Sequence, residues 1–410
     1  MIRYRAAWVV PVSGPPIRAG WVDVERGRIV AVGRGDAPSS DERDLGDAAL
    51  MPGLVNAHTH LELSYLRGQV PPASAFVSWI RGVVGARRSR PDSQAADIVD
   101  AIEQAIDEAV QSGTALVGDI SNTLVTFDPL ARSLLSGVVF YELLRFNAPD
   151  PGAVVEQACR QIDALEQRSS VRASLAAHAP YSVAPLVFRA IRQAMAQRPL
   201  LPCSVHLAES RDESEFMATA GGEWRRFLEE VGSWDPAFVA PGVSPVHYLD
   251  DAGFLDGRVL AVHGVQMDDR DLARLRERGT TLVTCPRSNQ HTGAGTPPVS
   301  AFYASGVRVA IGTDSLASTP DLNVFSELAA LRALAPDVAA ARLLASATIE
   351  GARALGFDAD FGTLEAGKLA RLLAVSIPAG LNDVEEYLVS GIEPGQLAWV
   401  GEPPASAARA

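Results

Sequence analysis

A single lysine, Lys368, stands among 410 residues, and the other 35 of the 36 basic side chains are arginine. Cysteine is nearly as scarce. Cys159, Cys203 and Cys285 are widely spaced with no CxxC pair, which excludes a disulfide framework and fits reduced thiols in a cytosol. No apolar run is long enough to span a bilayer, and the N-terminal stretch MIRYRAAWVVPVSG is interrupted by proline, too weak for a secretory signal. Positive charge is also in deficit. With 49 acidic against 36 basic groups the formal net charge is −13, so the surface repels phosphate backbones and anionic lipid and excludes nucleic acid and membrane as partners. These absences predict a cytoplasmic protein. A composition of 47% hydrophobic and 21% charged residues supports a large core rather than disorder.

What is present is regular. The first fifty residues read as short strands, AAWVVPV and AGWVDVERGRIVAVG, the second a hairpin about a central Arg26-Gly27. The segment FGTLEAGKLARLLAVSI after Gly356 has the same texture, so the two ends are expected to pair in one small sheet. Between them apolar strands alternate with amphipathic helices, the pattern of parallel strands with crossover helices. Eight strand candidates occur: ALMPGLVNAHTH, ALVGDI, GVVFYELL, ASLAAHAP, PCSVHLAE, VLAVHGV, TLVTCP and RVAIGTD. Eight strands close a (β/α)8 TIM barrel. The expected organisation is therefore a catalytic barrel over 53–356 and a small β-sandwich built from 1–52 and 357–410, with the tail GEPPASAARA frayed. The long segment from Ser210 to Gly257 is expected to add a helix and loops at the barrel mouth.

Each candidate strand is apolar and then ends in polar groups: His58 and His60, Asp119, Glu142, His178, His206 with Glu209, His263, Arg287 to Asn289, and Asp314. In a barrel these ends share one face, where active sites are built. Five of the seven histidines fall there, which a random scatter would not produce. His58 and His60 are two apart on a strand, so both imidazoles point to the same side and can ligate one metal. His206 offers a third nitrogen and Asp314 a carboxylate. Three histidines and one carboxylate suit zinc or ferrous iron with a position left for water. Alone, Asp314 would read as a helix cap. His263 could be a further ligand or hydrogen-bond the water, and Glu209 is placed to move protons as general acid and base. His178 reads equally well as a substrate contact or a satisfied buried histidine, and Cys285 carries no sign of thiolate activation.

Phe76 and Trp79, with Arg81, follow the first strand where a lid over a small-molecule substrate can form, although packing of helix on barrel accounts equally for their spacing. Glu62 could accept hydrogen bonds from a substrate group. Arg287, Ser288 and Asn289 could bind its distal end, and Arg67, Arg145 and Arg287 are the candidate partners for a carboxylate there. Two-metal hydrolases on such barrels commonly use a carboxylated lysine on a mid-barrel strand. Lys368 lies in the terminal segment instead, which argues for one ion and against Schiff-base chemistry.

The motifs PGLVNAHTH, HLAES, AVHGV, IGTDS and GTLEAGKLARL, in this order along nearly the whole chain, resemble the amidohydrolase superfamily and within it the mononuclear deaminase and chlorohydrolase branch. That resemblance implies one divalent ion on His58, His60, His206 and Asp314, with Glu209 and His263 as the proton-handling pair and Asp314 relaying a proton. More narrowly, NAHTHLELS, FVSWIRGVV, HAPYS and the stretch from CPRSNQHTG to IGTDSLAS are similar to the 6-aminodeoxyfutalosine deaminases of menaquinone biosynthesis. The implied reaction is deamination of an aminopurine. Adenosine, S-adenosylhomocysteine and methylthioadenosine deaminases, chlorohydrolases or cyclic amidohydrolases, and a catalytically silent metal-binding barrel are the competing readings. The size permits a symmetric homodimer.

Overall fold

The protein is described here from a computed structural model, in which residues 1–35 and 41–401 are described. Residues 402–410, nearly the whole of the tail expected to fray, lie outside the described residues. Eight parallel strands form the barrel: Leu54–Thr59, Thr114–Ser121, Ser136–Leu143, Val171–Ala177, Cys203–Leu207, Val259–His263, Thr281–Thr284 and Arg308–Ile311. Most of their positions are buried on both faces, which is why they read as continuous apolar runs rather than alternating ones. All eight coincide with the segments expected from the sequence. The helix Ala96–Gln111 shows how the outer layer is specified. It buries Ile98, Ile102, Ala105, Ile106 and Ala109 along one stripe, and Gly113, at φ +85°, turns the chain into the second strand.

The remaining strands make one seven-stranded mixed sheet from both ends of the chain: Ile2–Val9, Ile17–Glu25, Arg28–Arg34, Glu42–Asp44, Ala48–Pro52, Leu372–Ser376 and Leu397–Val400. Its hairpin turns at Arg26 and Gly27, both with positive φ, as a two-residue loop between twisted strands requires. The segment ALMPGLVNAHTH, expected as one strand, is two. Ala48–Pro52 pairs with Leu372–Ser376 in the terminal sheet, and Leu54–Thr59 pairs with Thr114–Ser121 in the barrel. The crossing is at Gly53, where a Cβ would lie 2.7 Å from both the Ala115 methyl and the Trp399 ring.

Phe357 and Phe361 pack in the same cluster as Val55, Ala57 and Leu116, so the chain covers the barrel interior before it joins the terminal sheet. Over the opposite end, helices Phe76–Arg88, Arg211–Thr219 and Gly222–Glu230 form a roof whose buried side chains include Phe76, Trp79, Phe216 and Trp224. Arg81, expected near the substrate, instead joins two roof helices by ion pairs to Glu230 (3.0 Å) and Glu223 (3.3 Å). No helix of the described residues is long and apolar enough to cross a membrane.

Inside the barrel the second strand approaches the first so closely that a Cβ on Gly118 would lie 2.4 Å from the Ala57 carbonyl oxygen and 2.9 Å from Leu355. Gly118→Ala is therefore expected to destabilise the fold by about 1–3 kcal/mol, the usual cost of overpacking a core. Thermal denaturation measures this. Gly14→Ala, where a Cβ meets nothing within 4 Å, is the control that should leave the melting temperature unchanged.

Candidate active site

Strand ends carry the chemistry. His58 and His60 leave the first strand, His206 the fifth, His263 ends the sixth, and Asp314 follows the eighth. Their functional atoms converge. The Nε2 atoms of His58 and His60 are 3.2 Å apart, and those of His60 and His206 are 3.4 Å apart. Asp314 Oδ1 lies 3.4 Å from His60 Nε2 and 3.9 Å from His58 Nε2. A tetrahedral ion held at 2.0–2.1 Å sets its nitrogens about 3.3 Å apart, the spacing seen here.

Burial decides the charge state of this cluster. It holds His60 at about 3 and His178 and His206 at about 4, and it drives His58 and His263 well below the ordinary imidazole value. The rings are neutral, with lone pairs available to a cation. The carboxyl groups respond the other way. Burial raises Asp314, and burial together with the neighbouring Asp314 and Glu213 carboxylates pushes Glu209 far up. A divalent cation among them would relieve both effects.

Hydrogen bonds fix which nitrogen is free. His206 Nδ1 donates to the His178 carbonyl (3.0 Å), leaving Nε2 as a bare lone pair toward His60. Asn289 donates to His263 Nδ1 (3.0 Å), which puts the proton of His263 on Nε2, 3.5 Å from Glu209 Oε1. His263 is thus arranged to donate rather than to ligate. The Ser182 hydroxyl donates to the Ala179 carbonyl and accepts from His178 Nδ1 (2.5 Å), so that ring presents an acceptor to the cleft.

The cleft above these groups encloses about 160 Å³. Phe76 and Trp79 line it from one roof helix, Trp224 from another, and Tyr181 from the loop after the fourth strand. Tyr181 and Trp224 stack with centroids 3.6 Å apart, while the indole N–H groups of Trp79 and Trp224 are buried without partners.

A family model described as "Amidohydrolase family" matches residues 49–392. The chain belongs to the amidohydrolase family. It is 35% identical over 334 residues to an aminodeoxyfutalosine deaminase of Deinococcus radiodurans, covering 78% of this chain and 76% of that one. It is 30% identical over 403 residues to a 5-methylthioadenosine/S-adenosylhomocysteine deaminase of Moorella thermoacetica, covering 93% and 88%. The zinc-bound crystal structure of an adenosine deaminase from Xanthomonas campestris superposes with a TM-score of 0.81 at 28% identity, covering 97% of this chain and 90% of that one. As an amidohydrolase this protein is a metal-dependent hydrolase of carbon–nitrogen bonds.

Several residues of this amidohydrolase stand elsewhere than the sequence suggested. Arg287 does not face the cleft, because its guanidinium is held by Glu327 (2.6 Å) and Asp321 (2.9 Å). Ser288 and Asn289 are fully buried beneath the histidine and carboxylate cluster, where Ser288 donates to Asp314 Oδ2 (2.5 Å) and Asn289 donates to His263 Nδ1. Glu62 has little left to offer a substrate. One of its oxygens accepts from Ser121, Asn122 and Thr123, and the other from Arg87. Cys285 is buried with its thiol pushed well up, and Lys368 donates to the Phe361 carbonyl in the terminal segment.

Sequence reasoning passed over two groups that border the candidate site. Arg87 lines the cleft from the roof helix Phe76–Arg88. Glu213 accepts from the backbone N–H of Ala208 (3.0 Å) and Glu209 (2.8 Å), holding the fifth strand end where Ala208 adopts φ +52°. The pattern Ser210-x-x-Glu213 is a capping signature that could have revealed the second.

Ser288 orients the Asp314 carboxylate without facing the cleft. Ser288→Ala is expected to weaken metal retention roughly 10–100-fold, the usual effect of removing a hydrogen bond behind a ligand. Chelator competition measures this, and unaltered retention would remove Ser288 from the role.

Proposed function

We propose that the protein deaminates a 6-aminopurine nucleoside, replacing the exocyclic amine with oxygen and releasing ammonia. The observation that carries this reading is the convergence of His58, His60, His206 and Asp314 beside Glu209 and His263 at the floor of a cleft walled by Phe76, Trp79 and Trp224. Relatives at 30–35% identity named for adenosine-type substrates support the reaction class. The finer reading is 6-aminodeoxyfutalosine, an intermediate of menaquinone biosynthesis, supported by the 35% identical relative and by the motifs NAHTHLELS and HAPYS.

His58, His60, His206 and Asp314 would hold one divalent ion, zinc or ferrous iron, which when bound polarises water and lowers its pKa. Phe76, Trp79 and Trp224 supply flat apolar surface for a purine and close the cleft against bulk water. The acceptor nitrogen of His178 fixes the orientation of the nucleoside. His263 Nε2–H and Asp314 then align the attacking water against C6. Glu209, buried with Oε1 3.5 Å from His263 Nε2, gives a proton to the adjacent ring nitrogen as the tetrahedral carbon forms, and takes one back from the added oxygen. Asp314 carries the other water proton to the amine, which leaves as ammonia. One water is consumed, the C–N bond breaks, and a C=O bond replaces it.

The test is an ammonia-release screen of metal-loaded protein across aminodeoxyfutalosine, adenosine, S-adenosylhomocysteine, methylthioadenosine, guanine and cytosine. A 6-aminopurine nucleoside is expected to have the highest specificity constant. Turnover of a chlorotriazine or cyclic imide in place of every nucleoside would overturn the reading. Glu209→Gln should keep its metal, measured by elemental analysis, and lose roughly 10²–10⁴-fold in kcat, the range for a general acid–base residue.

A further inference from the structure

A second chamber of about 460 Å³ opens beside the catalytic cleft, and the two share Val84, Arg87, Asn122 and Leu144 as walls. Three arginines line it, Arg87, Arg88 and Arg90, against one acidic residue, Glu62. We propose that this chamber is an anion subsite in which Arg87 reads a carboxylate at the distal end of the substrate. The proposal rests on the nucleoside reading above and narrows it to 6-aminopurine nucleosides that carry an anionic group beyond the sugar.

The charge balance argues for a ligand. In a chain with a formal net charge of −13, an arginine-lined recess next to the reaction centre is not a product of bulk composition. Glu62 offsets one of the three positive charges, through its ion pair with Arg87, and leaves the recess cationic. Its Oε2 accepts from the Ser121 hydroxyl (2.6 Å), the Asn122 N–H (2.9 Å) and the Thr123 hydroxyl (3.0 Å), and its Oε1 accepts from Arg87 (2.9 Å). Arg90 is paired with Asp97, whereas Arg88 has no ion-pair partner among the described residues.

The geometry singles out Arg87. Its two terminal nitrogens each spend one N–H, on Glu62 and on Asn122 (2.6 Å). Those two bonds lock the guanidinium at the junction of the cavities, and its remaining N–H groups are free for a planar anion. Asn122 in turn donates to Glu142 (2.8 Å), whose other oxygen lies 3.4 Å from His206, so the junction is braced against the barrel. The arginines considered from sequence lack this placement. Arg287 is held by Glu327 and Asp321, Arg67 pairs with Glu108 at 2.5 Å, and Arg145 is exposed and bonds the Leu144 carbonyl.

The experiment uses 5′-thioadenosine ethers of increasing chain length that end in a carboxylate, each compared with its matching carboxamide. Calorimetry on the metal-loaded protein gives their Kd values, and ammonia release gives turnover. For the chain that reaches the chamber, the carboxylate is expected to bind roughly 10–100-fold more tightly than the amide, the worth of hydrogen bonds to a charged group. In Arg87→Gln that ratio should fall toward one, and in Arg88→Gln it should fall in part. A purely structural Arg87 would weaken acid and amide alike and leave the ratio intact, which would overturn the proposal. Equal affinity of acid and amide for the unmodified protein at every chain length would do the same. Should Arg87→Gln not fold, Arg87→Lys and Arg88→Gln read the same ratio. Tighter carboxylate binding without ammonia release would uphold the subsite and sink the nucleoside deamination on which it was placed, so the two failures are distinguishable.

Discussion

The first and eighth barrel strands meet in a seam that also holds two of the proposed metal ligands, and the site depends on that closure. Asp314 N–H donates to the His58 carbonyl (3.1 Å), and the Thr59 hydroxyl donates to the Asp314 carbonyl (3.0 Å). One position earlier, Asn56 and Thr313 exchange hydrogen bonds of 2.7 and 3.1 Å. A histidine from the start of the barrel and a carboxylate from its end are therefore set by main-chain geometry, not by side chains finding each other. Gly312 makes the approach possible, since a Cβ there would lie 2.7 Å from both the carbonyl oxygen and the Cβ of His58. The backbone is bent to aim these groups: Ala208, His263 and Asp314 all have positive φ, a conformation that costs about 1–3 kcal/mol for residues other than glycine.

Stability alone would not select such a cluster. Neutral imidazoles and buried carboxyls are packed without enough donors to satisfy them, and His58 Nδ1, Glu142 Oε1 and Asn289 Oδ1 have no hydrogen-bond partner. Each buried orphan costs about 1–3 kcal/mol. An outer layer limits the damage by fixing orientation: Ser288 and Ser315 on Asp314, Asn289 on His263, Glu213 on the Glu209 backbone, and Asp119 on the Leu61 N–H (2.8 Å) behind His60. Conflict at the centre with consistency around it is what a functional site looks like in an otherwise well-packed barrel.

This architecture explains which features could be read from sequence. The strands are buried on both faces, so each appears as an apolar run, and the first polar residue at its end marks the mouth of the barrel. That is how His58, His60, His206, His263 and Asp314 were legible as a set. Direction at the ends was not. Ser288 and Asn289 lie on the short helix Pro286–Thr292, whose register turns both inward behind Asp314 and His263. Arg287 meets Glu327 forty residues later, and Glu62 meets Ser121 to Thr123 about sixty residues later. Such pairings follow from three-dimensional packing and leave no local periodicity. The split at Gly53 was hidden for a related reason, because two consecutive buried strands separated by a single residue, with Pro52 itself inside the first, read as one apolar run.

The division of labour between barrel and roof separates reaction from substrate. The proposed proton-handling and metal-binding groups sit at the ends of strands whose pairing fixes them. The aromatic walls and Arg87 come from helices laid over the mouth, and the Arg81 ion pairs with Glu223 and Glu230 join two of them. Helix faces can be recast without disturbing the seam. Similarity along the strands therefore constrains the reaction more tightly than the substrate, and relatives named for different nucleosides can resemble this chain to similar degrees. Substrate identity has to be sought where the roof meets the barrel, at the wall of Arg87 and Asn122 that joins the two cavities.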